Sequence, residues 1–152
     1  MGYVGSIITF PLSAIIEAFI HGARDRMTAW IIFVGAGVGG VARYAVSQWV
    51  QAATGPAFPW GTLLINVSGS LVLAFVYGSL EGTAAAPAWR AFLGVGILGG
   101  YTTFSTFSYE SVRLLQDGEW ARALLYVAGS VILSLAGALL GFTLASALLR
   151  RG

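Results

Sequence analysis

The chain has 152 residues, enough for one domain, and is 57% hydrophobic with only 9% charged residues, where a soluble domain carries roughly 25% charge. With a mean hydropathy of +0.82, that balance excludes an ordinary soluble protein and points to an integral membrane protein, which the apolar spans below make all-α. The eight basic residues are all arginines, scattered singly or in pairs, which argues against a nucleic-acid face; with no cysteine and one histidine, His21, disulfide frameworks, thiolate sites and multi-histidine metal centres are excluded too.

Residues 1–29 read as an N-terminal extension and residues 30–152 as a four-helix domain. YVGSIITFPLSAIIEAFI, at 3–20, approaches spanning length but contains Pro11 and Glu17 and then runs into HGARDR. No positive region precedes it, so it is a poor signal peptide. It remains an interfacial helix, a fifth span or an upstream extension. The preferred reading is a peripheral extension, with Met27 as an alternative start.

The first clear span runs from Trp30 to Val50 and contains VGAGVGGVARYAVSQW. Gly35, Gly39 and Arg43 recur at i+4. Arg43 is either a topology anchor or part of a positive vestibule reached by snorkelling. The second span, Trp60 to Tyr77, puts Thr62, Asn66, Gly69, Ser70 and Tyr77 on one face. Asn66 there is either glue between helices, worth about 0.6–2 kcal/mol, or a polar group for a ligand.

The third span, Trp89 to Leu115, carries Gly94, Gly96, Gly99 and Gly100 ahead of Thr102 and Thr103. Each glycine lowers helix preference by about 1 kcal/mol relative to Ala, so the glycine pair and two β-branched threonines predict an interruption. Freed carbonyls at such a break suit a cation, and freed N–H groups at the restarting helix suit an anion. Beyond it, Phe104, Phe107, Ser108 and Ser111 share a face. Their rings and hydroxyls either line a path for a small anion or face lipid and bond back to the helix. Glu110 reads as structural.

The fourth span, Trp120 to Leu149, sets Tyr126, Ser130 and Ser134 at i, i+4, i+8, with Gly129, Gly137 and Gly141 on nearly the same face. A polar track and small-residue packing share this helix. A tryptophan stands at or near the start of every span, as in interfacial anchoring. The linkers ATGPAFP (53–59), EGTAAAP (81–87) and QDGE (116–119) carry turn residues. With four spans both termini share a side. Arg24, Arg26, Arg90, Arg150 and Arg151 then oppose Arg113 and Arg122, a bias of five to two.

Three motifs together resemble the Fluc/CrcB fluoride channels. GGVAR at 39–43 is similar to the family's first-helix GGxxR, GTLLIN at 61–66 to its second-helix motif, and residues 96–108, GILGGYTTFSTFS, to its third-helix signature. The likeness covers about residues 30–149. It implies passive fluoride export, no enzymatic activity, and a multi-pass protein of a bacterial plasma (inner) membrane. It implies four helices with a broken third, in a dual-topology dimer of two oppositely inserted copies, or of paired paralogues. The fluoride pathway would comprise Asn66, Phe104, Thr106, Phe107, Tyr126, Ser130 and Ser134, with Arg43 at a vestibule. A structural sodium ion (Na+) at the dimer centre would rest on the backbone carbonyls of Gly99 and Thr102. Two other classes compete: a small dual-topology multidrug exporter using a membrane-embedded acid, for which Glu17 is the candidate, and a non-transporting membrane assembly protein.

Overall fold

The computed structural model describes residues 23–84 and 86–149. The readings placed on Pro11, Glu17 and His21 lie outside the described residues, as do Arg150 and Arg151. Every regular element among the described residues is helical. Among the described residues three helices are long and apolar enough to cross a membrane: α1 (Ala23–Thr54), α2 (Trp60–Ser79) and α6 (Trp120–Leu149). Between α2 and α6 lies a compound helical run. It starts as α3 (Ala86–Trp89), widens into a π-helical stretch, Arg90–Leu98, and closes with α4 (Gly99–Tyr101). Helix resumes as α5 (Phe104–Gln116).

Each loop is built around a glycine in the left-handed region, where a side chain would be strained: Gly55 at φ 76°, Gly82 at φ 74° and Gly118 at φ 79°. These fall in the three linkers read from sequence. The helix α1 starts seven residues ahead of Trp30 and runs through the boundary drawn between the extension and the four-helix domain.

Small residues set the packing. A Cβ on Gly137 would lie 3.1 Å from the Val67 carbonyl, and one on Gly141 would overlap the Leu71 carbonyl, so α6 lies backbone to backbone on α2. On the other side α1 nests against the π-helical stretch. Gly35 would meet the Phe92 carbonyl at 2.9 Å, Gly100 the Ala36 carbonyl at 2.5 Å, and Gly39 would overlap the Ile97 carbonyl. In a bilayer, where lipid is as apolar as leucine, such close contact is what holds helices together. Among the described residues the largest fully buried side chains are Tyr126 and Ile65, while Trp30, Phe33, Val41, Leu124, Leu135 and Leu139 point outward.

The polar face of α2 tracks the compound run and α5. Thr62 bonds Glu110, Asn66 bonds Thr103, Gly69 admits Thr102 and the Tyr77 ring lies against Gly94.

Candidate functional site

The interruption sits at two residues. Thr102 (φ −76°, ψ 157°) and Thr103 (φ −152°, ψ 113°) are extended, and helix resumes at Phe104. Thr103 is the N-cap of α5. Its Oγ1 accepts the Thr106 N–H at 3.2 Å and donates to Thr106 Oγ1 at 2.9 Å, as Thr and Ser caps do for orphan amides. Asn66 reaches over from α2. Its Oδ1 accepts the Thr103 N–H at 2.9 Å, and its Nδ2 donates to the Thr103 carbonyl at 3.1 Å. One side chain therefore satisfies both backbone groups of an extended residue inside a helical bundle.

Two clefts open beside the break. The first, about 280 Å³, is walled by Asn66, Ser70, Leu73, Thr102, Thr103, Phe104, Phe107, Ser130, Val131 and Ser134. Five of the seven pathway residues named from sequence meet here: Asn66, Phe104, Phe107, Ser130 and Ser134. The rings of Phe104 and Phe107 lie 5.6 Å apart at 44°. Phe104 is 80% exposed. Ser130 is 5% exposed, and its Oγ has no hydrogen-bond partner among the described residues. A buried hydroxyl without a partner is costly unless a ligand or water meets it. An amide NH₂ carries two donors, and the Asn66 bond to Thr103 uses one of them.

The second cleft, about 270 Å³, lies towards α1 and contains Gly40, Arg43, Tyr44, Ser47, Thr62, Ile65, Thr103 and Thr106. Thr106 thus stands with Arg43, away from the phenylalanine pair. Thr103 is common to both clefts.

Tyr126 belongs to neither. It is 0% exposed, packed between the rings of Phe107 and Phe58 at 5.4 and 5.6 Å. Its hydroxyl donates to Glu110 Oε2 at 2.7 Å, and Thr62 Oγ1 donates to Glu110 Oε1 at 3.0 Å. Glu110 also borders a third hollow at the loop end, which it shares with Thr62, Arg113 and Asp117. Ser108 and Ser111 turn their hydroxyls back to the carbonyls of Phe104 and Phe107 at 2.9 and 2.7 Å, so both bond back to their own helix. Sequence reading named Thr103 only as a helix breaker and missed its capping role. The signal was there in the spacing of Thr103 and Thr106.

The fold and the site define a multi-pass helical membrane protein with a polar, aromatic-edged cleft let into an apolar body. The family described as "CrcB-like protein, Camphor Resistance (CrcB)" matches residues 30–142. The chain belongs to that family. It is 46% identical over 119 residues to a "Fluoride-specific ion channel FluC" of Thermus thermophilus, covering 78% of this chain and 93% of that protein. A "Fluoride-specific ion channel FluC 2" of Nitrobacter hamburgensis is 47% identical over 120 residues (78% and 96%). One of Rhizobium meliloti named FluC is 44% identical over 121 residues (78% and 97%).

Proposed function

We propose that the chain forms a passive fluoride-selective channel that lets fluoride out across the membrane. The observation carrying this reading is the cleft at the break, where the Asn66 amide, the buried Ser130 hydroxyl with no partner among the described residues, and the Phe104–Phe107 pair stand together. Relatives of 44–47% identity bear the name fluoride-specific ion channel.

The chemistry suits a small, hard anion. Stripping water from an anion is costly unless donors replace it. Amide N–H and hydroxyl groups are such donors, and phenylalanine edges carry partial positive charge. Fluoride is compact and accepts hydrogen bonds strongly, so a narrow path of this kind favours it over chloride. Ser134 continues the hydroxyl wall beside Ser130. Arg43, in the second cleft, raises local anion concentration, with Thr106 as a neighbouring hydroxyl. Tyr126, bonded to Glu110, closes the far end of the polar track. No nucleotide-binding P-loop occurs in the sequence, in keeping with flow that uses no nucleotide.

In this reading Ala86–Gln116 crosses as a fourth span, broken at Thr102–Thr103. Non-helical backbone is tolerated at membrane depth where protein satisfies it, and Asn66 does so. Two copies inserted in opposite directions, or a paired paralogue, complete the channel in a bacterial inner membrane.

The break also fits a sodium ion. Helical donors for the carbonyls of Gly99 and Thr102 would be the N–H groups of Thr103 and Thr106, and both of these bond side chains instead. Carbonyl oxygens freed in this way can replace a cation's hydration shell. Two copies about a two-fold axis would offer four such oxygens. Sodium there supplies fixed positive charge between the two halves and is not itself transported.

Proteoliposomes loaded with fluoride decide the matter. Selective fluoride efflux without a proton gradient or nucleotide is expected. Equal chloride efflux would defeat the selectivity, and no ion flux at all would favour a non-transporting assembly protein.

A further inference from the structure

We infer that Asn66 and the Thr103 hydroxyl are positioning residues that hold the break open, each freeing one named carbonyl for the cation; this rests on the sodium reading above. In an uninterrupted helix the Thr103 N–H would bond the Gly99 carbonyl, and the Thr106 N–H would bond the Thr102 carbonyl. The Asn66 Oδ1 takes the first donor at 2.9 Å, and the Thr103 Oγ1 takes the second at 3.2 Å. The division of labour is one side chain per carbonyl.

Asparagine is well matched to its half. It is short, and it carries an acceptor and a donor on one planar group. That lets it hold the N–H and the carbonyl of Thr103 together. A residue with only an acceptor would still free Gly99 but would leave the Thr103 carbonyl without the side-chain donor. Thr103 needs its hydroxyl only as a cap, and its backbone contact with Asn66 does not depend on that hydroxyl. Asn66 thus faces two ways. One amide group lies in the wall of the anion cleft and also sets the backbone of the proposed cation site, so the two sites share a mechanical part.

The test is solution or solid-state NMR of the full chain in lipid, reading carbonyl ¹³C shifts. Labelled Gly–Gly pairs report residues 99–100 (and 39–40), and the single Thr–Thr pair reports 102–103. A hydrogen-bonded carbonyl moves downfield. Asn66→Leu is expected to move Gly99 downfield and leave Thr102 in place. Thr103→Val, read through its new Thr–Val pair, is expected to move Thr102 alone. Asn66→Asp keeps the acceptor and is expected to leave Gly99 as in the wild type. Thr103→Val and Asn66→Asp decide the matter if Asn66→Leu does not fold.

Sodium is then titrated against the same signals. Its midpoint is expected to rise about tenfold in Asn66→Leu, the scale of losing roughly one hydrogen bond. If Gly99 and Thr102 stay put in the variants while sodium still moves them in the wild type, the positioning roles are wrong. If the variants move their own carbonyls but sodium moves nothing in the wild type, the positioning stands and the cation is wrong.

Discussion

The carboxylate of Glu110 receives two hydroxyl hydrogen bonds, from Tyr126 at 2.7 Å and from Thr62 at 3.0 Å. Those three residues come from α5, α6 and α2, so one acid ties three elements together. Tyr126→Phe removes one bond and keeps the ring contacts with Phe58 and Phe107. It should cost about 0.6–2 kcal/mol, the range for polar contacts between membrane helices. Reversible denaturation in mixed micelles measures it; no loss would mean that the hydroxyl contributes nothing to the fold. The phenylalanines test the pathway itself. Phe107→Ile should sharply reduce fluoride efflux from liposomes while the protein stays folded, and Phe104→Ile should do the same. Ser108→Ala should leave efflux near the wild-type rate, because that hydroxyl is already bonded to the Phe104 carbonyl. If both Ile variants conduct normally, the rings return to a lipid-facing role.

At the scale of the elements, the glycines of α1 are not equivalent. A Cβ on Gly39 would overlap the Ile97 carbonyl, whereas one on Gly37 meets nothing within 4 Å. Gly39→Ala should therefore push α1 from the π-helical stretch, at a cost of about 1–3 kcal/mol for overpacking. Gly37→Ala should be neutral or should stabilise by up to about 1 kcal/mol through helix propensity. Unfolding midpoints of the two variants make the comparison, and equal effects would refute the packing argument. Much of this level was legible beforehand. Gly55, Gly82 and Gly118 marked the loops, and the pair Gly99–Gly100 before Thr102–Thr103 marked the interruption. The π-helical widening at Arg90–Leu98 was not legible, because α and π turns draw on the same apolar and glycine residues. The Asn66 clamp was hidden for another reason: it joins positions 37 apart in the chain, and spacing rules reach only across a few turns. The meeting of five of the proposed pathway residues in one cleft could be expected only through the family motifs, since periodicity assigns faces and not partners.

For the whole molecule, the matched region is the relevant unit. About 120 residues of this chain cover 93–97% of three relatives. A chain starting at Met27 should accordingly insert and conduct fluoride, as read by efflux and by a single folded peak in size-exclusion chromatography. Loss of all folded protein would make the preceding residues structural. The exterior of the bundle has a further consequence. Most of its large aliphatic and aromatic side chains already point outward, and many of its interior contacts are glycine, alanine and backbone carbonyl, with Tyr126 and Ile65 the large side chains buried among them. Pulling the helices apart within a bilayer thus moves little apolar surface into water. Heat capacity of unfolding follows apolar hydration, so the calorimetric step for helix separation should be small, and its enthalpy should change little with temperature. Cooling, which weakens proteins held by the hydrophobic effect, should leave this one assembled.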